Sequence, residues 1–151
     1  MSRKTLASNR RARHEYHIDD TLEAGIVLSG TEVKSIRAGR IQLRDAYVEV
    51  RSDEAWLVGA HISPYSHGNY ANHDPERVRK LLLSRREIDR LAGAIQRKGL
   101  TVIPLSVYLK GHLVKVEIGL ARGKKLHDKR LSAKKRIMDR EAEEAMARRQ
   151  K

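Results

Sequence analysis

The sequence predicts a mainly β protein whose body is a small closed antiparallel barrel with helices beside it. Three observations indicate this class: short apolar runs that alternate with polar residues, turn residues about every ten positions, and about six strands against two helices between residues 14 and 121. Such a pattern favours an antiparallel barrel over a parallel sheet. Because side chains fill a barrel of this size, we expect no large cofactor pocket and no cofactor.

The first elements of the body are a strand and a helix. Residues 14–18 alternate in polarity and place Tyr16 on the apolar face, and residues 24–28 extend this strand. A two-turn helix is expected over residues 30–39, where Thr31 is the candidate N-cap. This helix should bury its apolar residues and turn its basic residues to solvent.

A β-hairpin is expected next. Residues 46–51 alternate, residues 55–60 are mostly apolar, and a polar turn separates the two runs. Trp56, the only tryptophan, lies in the second run. Its apolar neighbours favour a place in the core over a role as a platform for stacked bases. The polar residues 61–72 are interpreted as a loop.

The clearest helix signal follows in the second half of the body. Residues 84–87 match a capping box, an apolar stripe at helical spacing follows, and Gly99 is the expected stop. Further strands are expected over residues 101–109 and 114–120. Pro104 lies within the first of these strands, which predicts an edge position or a bulge.

The positive charge lies at the two ends of the chain. The net charge is +13; residues 1–13 hold five Lys or Arg and no acid, and residues 122–151 hold 12 basic and 5 acidic residues. Residues 14–121 balance 15 basic residues against 14 acidic ones. We therefore divide the chain into a basic N-terminal arm (1–13), a barrel body (14–121) and a basic C-terminal tail (122–151). Such ends favour RNA, DNA or an anionic membrane as partner, with arms that only solubilise the chain as the alternative.

The C-terminal tail has a helix-forming composition without a strong apolar face. From residue 132 it is rich in Ala, Glu, Lys and Arg. We expect the tail to be flexible or partly helical in the free protein and helical on a polyanion. A helix packed back onto the barrel is the alternative.

Several functional classes are disfavoured. Without cysteine there is no disulfide, Fe–S cluster or thiol nucleophile. No apolar run approaches the roughly 18 residues that span a bilayer, and no secretory signal is recognisable, so a soluble cytoplasmic protein is expected. Residues 119–125 depart from a phosphate-binding loop in spacing and in their last residue. His61, His67 and His73 lie too far apart for a typical zinc site. We therefore expect neither a metal nor an enzyme.

Six stretches, in one order along the chain, resemble the SsrA-binding protein (SmpB) family, the bacterial partners of transfer-messenger RNA in ribosome rescue. They are NRRARHEY at 9–16, EAG at 23–25, EVKS with RAG at 32–39, DAYV at 45–48, RKLLL at 79–83, and GKK with HDKR at 123–130. The resemblance implies an antiparallel barrel like that of oligonucleotide-binding folds, with two or three flanking helices. It also implies an adaptor that delivers transfer-messenger RNA to stalled ribosomes.

The resemblance implies that the body binds the tRNA-like domain of transfer-messenger RNA at its elbow. The predicted RNA-binding residues are Asn9, Arg10, Arg11, Arg13, His14, Glu23, Lys34, Arg37 and Leu82. Arginine and lysine suit phosphates, whereas asparagine and histidine can reach base edges in unpaired loops. Three roles are open for Glu23: accepting a hydrogen bond from a base, orienting an arginine, or standing as a solvated carboxylate in a turn.

For the tail, the resemblance implies entry into the decoding centre of a stalled ribosome and a helix along the empty messenger channel. The matching residues are Lys124, Lys125, His127, Asp128, Lys129 and Arg130. His127 would stack on a decoding base, and the basic residues would hold ribosomal RNA phosphates. The expected partners are transfer-messenger RNA and the ribosome, with no membrane, and the expected state is a monomer. A permanent ribosomal protein and a membrane-surface protein are the alternatives, and the latter would need a larger apolar face on the tail.

Overall fold

The computed structural model describes residues 3–65 and 72–123, together with eight positions between 134 and 145. The elements of the described ranges, in order, are β1 (Arg3–Ser8), α1 (Arg10–Glu15), β2 (Tyr16–Ile26), α2 (Gly30–Arg37), β3 (Ile41–Gln42), β4 (Tyr47–Arg51), β5 (Glu54–Val58), β6 (His61–Ile62), β7 (Arg79–Leu82), α3 (Arg85–Lys98), β8 (Thr101–Lys110) and β9 (Leu113–Gly123).

Antiparallel pairing closes six of the strands into a barrel. Their order is β8-β4-β5-β7-β2-β9, and β9 pairs back along the whole of β8. Strand β1 adds to the second half of β8, from Ser106 to Lys110, while β4 pairs with β8 at Val102. Strands β3 and β6 form a separate two-stranded ribbon. The predicted mainly β fold with an antiparallel barrel is confirmed.

The barrel interior holds one apolar core. Fully or almost fully buried side chains from four different strands meet there, among them Leu57, Leu81, Val107 and Val116. Helices α2 and α3 contribute Ile36 and Leu91 to the same core, so both helices are fixed to the barrel by apolar burial. A smaller cluster forms where Ala12 of α1 packs against β8 and β9, with Tyr16 and Ile18 at its edge.

Local signals define the ends of the two longer helices. Ser84 Oγ accepts a hydrogen bond from the Glu87 amide at 3.2 Å, the Glu87 carboxylate accepts one from the Ser84 amide at 3.0 Å, and Gly99 ends α3 at φ +63°. These features confirm the predicted helix. Helix α2 instead has Ser29 as its N-cap, because Ser29 Oγ accepts a hydrogen bond from the Glu32 amide at 3.4 Å; the Glu32 carboxylate in turn accepts one from the Ser29 amide at 2.8 Å. The prediction of Thr31 as N-cap is wrong.

The N-terminal residues belong to the sheet. Residues 3–8, assigned to the basic arm in the sequence analysis, form β1, and α1 runs across the expected boundary at residue 13. Strand β1 is mostly polar, so backbone pairing with β8 rather than an apolar pattern places it. The strand expected over residues 14–18 with its extension at 24–28 is β2, Tyr16–Ile26, but residues 14 and 15 belong to α1, so the expected start of the strand is wrong.

Trp56 is half-buried outside the core, contrary to the prediction. Its neighbours Ala55 and Leu57 are fully buried in the barrel, so Trp56 faces the other side of the sheet, opposite Glu49 and Lys80. Both faces of this run carry apolar residues, Ala55 and Leu57 on one and Trp56 and Val58 on the other, so the sequence did not show which face was the inner one.

Candidate nucleic-acid interface

A polar network joins β8 and β2 on the outer face of the barrel. Val107 faces the core, so Tyr108 beside it faces outward, yet the Tyr108 side chain is almost completely buried. Its hydroxyl donates a hydrogen bond to Glu23 Oε2, and Lys110 Nζ donates one to Glu23 Oε1 at 3.3 Å. Both donors fix the Glu23 carboxylate within β2. Glu23 is exposed but lies in a strand and has two donors, so its interpretation as a turn residue is wrong.

The two groups influence each other's protonation. The hydrogen bond from Tyr108 lowers the pKa of Glu23, with Lys110 adding to the effect against a smaller opposing influence of burial. Burial raises the pKa of Tyr108, and the Glu23 carboxylate raises it further. At neutral pH the Glu23 carboxylate is therefore ionised, and the protonated Tyr108 hydroxyl donates a hydrogen bond to it. Each Glu23 oxygen keeps a second lone pair for a further donor.

Arg3 covers this pair from the N-terminal strand. Its guanidinium lies 3.6 Å from the centre of the Tyr108 ring. It also donates hydrogen bonds to Ser106 Oγ at 3.1 Å and to Glu117 Oε2 at 3.2 Å, while Arg13 of α1 approaches Glu117 at 3.9 Å. We call Arg3, Arg13, Glu23, Tyr108, Lys110 and Glu117 the outer-face network.

Helix α1 is held against β8 at the point where that strand bulges. The Asn9 amide nitrogen Nδ2 donates to the Pro104 carbonyl at 3.0 Å, and the Asn9 backbone N–H donates to the Leu105 carbonyl at 2.8 Å. The pairing register with β9 shifts between Pro104 and Ser106, as expected for the proline. Asn9, predicted to face RNA, thus has a structural contact that fixes the start of α1.

The remaining basic residues of α1 are at the surface. Arg10 and Arg11 are exposed, His14 is half-buried, and Arg11 approaches Glu15 at 4.0 Å one turn along the helix. Arg10 makes no hydrogen bond or ion pair with any residue of the described ranges. Its charge is therefore available to an anionic partner.

Leu82 lies on the same outer face as Glu23. It pairs with Gly25, which shares a face of β2 with Glu23, and its side chain is 52% exposed. A Cβ atom at Gly25 would lie 3.1 Å from the Leu82 Cβ, so the glycine allows the close approach of the leucine. The structure thus brings Glu23 and Leu82 together as one surface.

Lys34 and Arg37 lie on α2. Both are exposed, and Lys34 Nζ is 5.3 Å from the centre of the Tyr65 ring. Among the described residues, no hydrogen bond, ion pair or ring contact joins either of them to the outer-face network.

A buried ion pair anchors α2. The Glu32 carboxylate accepts hydrogen bonds from Arg77 at 2.5 Å and from the fully buried Arg79, which also donates to the Ala60 carbonyl at 3.0 Å. Burial raises the pKa of Glu32, but the hydrogen bonds from Arg77, the Ser29 amide and Arg79 outweigh it and lower the pKa to about 2. Glu32 is thus ionised at neutral pH and ties α2 to the barrel.

The predicted decoding-centre residues Lys124, Lys125, His127, Asp128, Lys129 and Arg130 lie outside the described residues. Farther along the tail, positions 134, 137, 138, 140–143 and 145 are helical. Ile137 and Met138 are more than half exposed.

The histidines considered for a metal site have other contacts. His73 is hydrogen-bonded through its ring to Thr31 Oγ1 and to the Ile62 carbonyl, both at 2.9 Å, and His61 faces Glu76 at 3.8 Å. His67 is outside the described residues. Among the described residues, no cluster of three His, Asp or Glu side chains could hold a metal ion. Nor is any described helix long and apolar enough to cross a membrane.

Sequence reasoning missed four members of the network. Arg3, Lys110 and Glu117 are ordinary charged residues in the sequence, and Tyr108 lies within an apolar run that indicated only a strand. Their meeting depends on the register of β8 with β1 and β9, which pairs Ser106 with Glu117 and Arg3 with Lys110. A strict period-two reading of β8 could have placed Tyr108 outside the core.

Comparisons with known proteins identify the family. The family model described as "SmpB protein" matches residues 6–148. The SsrA-binding protein of Chloroflexus aggregans is 56% identical over 145 residues, covering 95% of this chain and 92% of that protein. The SsrA-binding protein of Gloeothece citriformis is 58% identical over 146 residues, covering 96% and 94%.

A solved structure supports the same relationship. The matching chain, described under the words "tmRNA-SmpB: a journey to the center of the bacterial ribosome", is 50% identical with a TM-score of 0.67. The match covers 80% of this chain and 85% of that one. Sequence and fold therefore agree, and the chain belongs to the SmpB family of SsrA-binding proteins.

Proposed function

We propose that this chain is an RNA-binding adaptor that binds the tRNA-like domain of transfer-messenger RNA and delivers it to stalled ribosomes for trans-translation. The observation that carries the proposal is the outer surface of the barrel, where Glu23 is fixed as an acceptor next to Leu82 and close to the arginines of β1 and α1. The relatives named SsrA-binding proteins support the identity of the RNA.

The surface offers two kinds of contact to RNA. Exposed arginines such as Arg10 suit phosphates, which set affinity and position. A fixed carboxylate acceptor such as Glu23 suits an amino or hydroxyl donor, and the exposed Leu82 suits the face of an unstacked base. Unpaired loops, as at the elbow of a tRNA-like domain, present such groups.

The tail completes the adaptor role. In this proposal residues 124–130 contact the decoding centre and the helix-forming residues after them follow the messenger channel, and the support is the family match, which extends to residue 148. Binding and delivery require no bond to be made or broken by this chain, so the proposed role is non-enzymatic and uses no cofactor. Its place of action is that of the ribosome, the cytoplasm.

A ribosome-rescue assay tests whether the body binds transfer-messenger RNA while the tail acts on the ribosome. In a bacterial translation extract depleted of its own SsrA-binding protein, the chain should restore peptide tagging on a messenger without a stop codon. Substituting Lys124, Lys125, Lys129 and Arg130 with Ala should abolish tagging and leave transfer-messenger RNA binding within about threefold of wild type. A variant with equal loss of charge on α3, at Arg85, Arg86, Arg97 and Lys98, serves as the matched control and should still tag. Failure of the unaltered chain to restore tagging, or loss of RNA binding in the tail variant, would contradict the proposal.

A further inference from the structure

A groove of about 410 Å³ lies between α1 and the segment around β3. We call it the α1–β3 groove. Arg10 and Arg11 form one wall, and Gln42 and Arg44 belong to the other. The first two are predicted RNA-binding residues, whereas Gln42 and Arg44 have no assigned role. The groove therefore continues the proposed RNA surface to a part of the chain beyond that prediction.

The charge of the groove favours an anion. Three of its lining residues are arginines and none is acidic. The nearest carboxylates to two of them, Glu15 at 4.0 Å from Arg11 and Asp45 at 3.9 Å from Arg44, are at the limit of an ion pair and well exposed. Such pairs are weak in water, so they leave most of the positive potential of the groove in place.

The polar side chain beside these arginines is that of Gln42. The lining also includes Ile41 and Leu43, both almost fully buried in the barrel core. Gln42 lies between them on β3 with an exposed side chain, and its backbone is held by pairing with His61. A side-chain amide offers both a donor and an acceptor, which is what the edge of a base requires.

We propose that the α1–β3 groove binds one unpaired nucleotide of transfer-messenger RNA, with its phosphate at Arg10 and Arg44 and its base edge at Gln42. The inference rests on the proposed function and adds Gln42 and Arg44 to the RNA surface. An unpaired nucleotide fits because A-form duplexes hold their base edges in grooves that side chains read poorly.

Binding of transfer-messenger RNA by the full chain at several salt concentrations tests the two contacts separately. Arg44→Ala should raise Kd about tenfold and reduce the log–log salt slope by about 0.7, the contribution of one single-strand phosphate. Gln42→Ala should raise Kd about threefold and leave the slope unchanged, because the amide carries no charge. Arg86→Ala is the matched control, since Arg86 is also exposed, lies on α3 and does not line the groove.

The outcomes separate this inference from the proposed function. If the unaltered chain prefers transfer-messenger RNA but Arg44→Ala behaves like Arg86→Ala, the groove does not bind the RNA and the inference is overturned. If the unaltered chain does not bind transfer-messenger RNA in preference to elongator tRNA, the proposed function itself fails. A photo-crosslinking residue at position 42 adds the location: crosslinks to an unpaired nucleotide support the groove, and crosslinks confined to helical segments overturn it.

Discussion

Two donors hold the Glu23 carboxylate, and one of them, the Tyr108 hydroxyl, can be removed without changing the ring. In Tyr108→Phe the pKa of Glu23 should rise toward its ordinary value, because the hydrogen bond that lowers it most is lost. The ring under Arg3 remains, so the fold should persist. Transfer-messenger RNA should bind about three- to tenfold more weakly, since Glu23 is no longer held in one orientation.

Carbon-detected NMR titration of the glutamate side chains measures the first effect, and an RNA-binding titration measures the second. Tyr47→Phe is the matched control, because Tyr47 is exposed and outside the outer-face network. An unchanged Glu23 pKa in Tyr108→Phe would show that the hydroxyl does not hold the carboxylate in solution.

Glu32 predicts how stability responds to acid. Its pKa in the folded protein is about 2, below the ordinary 4.5, so its stabilising effect is complete above about pH 4.5 and disappears as the pH falls toward 2. Glu32→Gln should lose about 3–5 kcal/mol of unfolding free energy at neutral pH, because Arg79 would be buried without its charge partner. The variant should also lose less further stability between pH 4.5 and 2 than the wild type does.

Urea unfolding at a series of pH values measures both effects. Glu49→Gln provides the comparison, because Glu49 pairs with Arg51 at the surface rather than in the interior. Equal pH dependence in Glu32→Gln and the wild type would mean that another group controls acid unfolding.

At the scale of elements, α1 depends on contacts outside itself. It has six residues, buries Ala12 as its only fully buried side chain, and is joined to β8 through Asn9. Asn9→Ala should cost about 1 kcal/mol of unfolding free energy and increase hydrogen exchange in α1. RNA binding should weaken with it, since Arg10 and Arg13 are no longer held beside the barrel.

Asn9→Asp separates the size of the side chain from its ability to donate a hydrogen bond, because aspartate has the same size as asparagine but cannot donate to the Pro104 carbonyl. It should resemble Asn9→Ala in hydrogen exchange. If both variants keep α1 protected while RNA binding falls, Asn9 acts by touching RNA and not by positioning the helix.

How well each element could be predicted follows from where its stabilising contacts lie. Helix α3 carries its capping box, apolar stripe and terminal glycine within its own 14 residues and its caps, and all were readable from the sequence. Helix α1 and strand β1 lack such signals. Helix α1 is held by the hydrogen bond from Asn9 to Pro104 of β8, and β1 is held by backbone pairing with β8. The prediction that Trp56 lies in the core was wrong for a related reason, because the inner face of β5 depends on the side on which the barrel closes.

At the scale of the whole molecule, the sequence analysis predicted several residues of the candidate site but not how they are arranged in space. The family resemblance supplied Glu23 and Leu82, and the closure of the barrel explains why they share a surface. Lys34 and Arg37 instead lie on α2, where both are exposed. The sequence did not indicate that Arg3 and Tyr108 belong to the outer-face network, because their contacts join residues about a hundred positions apart in the chain.

The central claim is that the barrel recognises transfer-messenger RNA and not polyanions in general. The most direct measurement is binding of the purified chain to transfer-messenger RNA, with elongator tRNA as competitor, over a range of salt concentrations. We expect a preference for transfer-messenger RNA that persists near physiological salt, because fixed acceptors such as Glu23 act in addition to phosphate contacts. Equal and steeply salt-dependent binding to both RNAs would contradict the claim and favour a general ribosomal RNA-binding role.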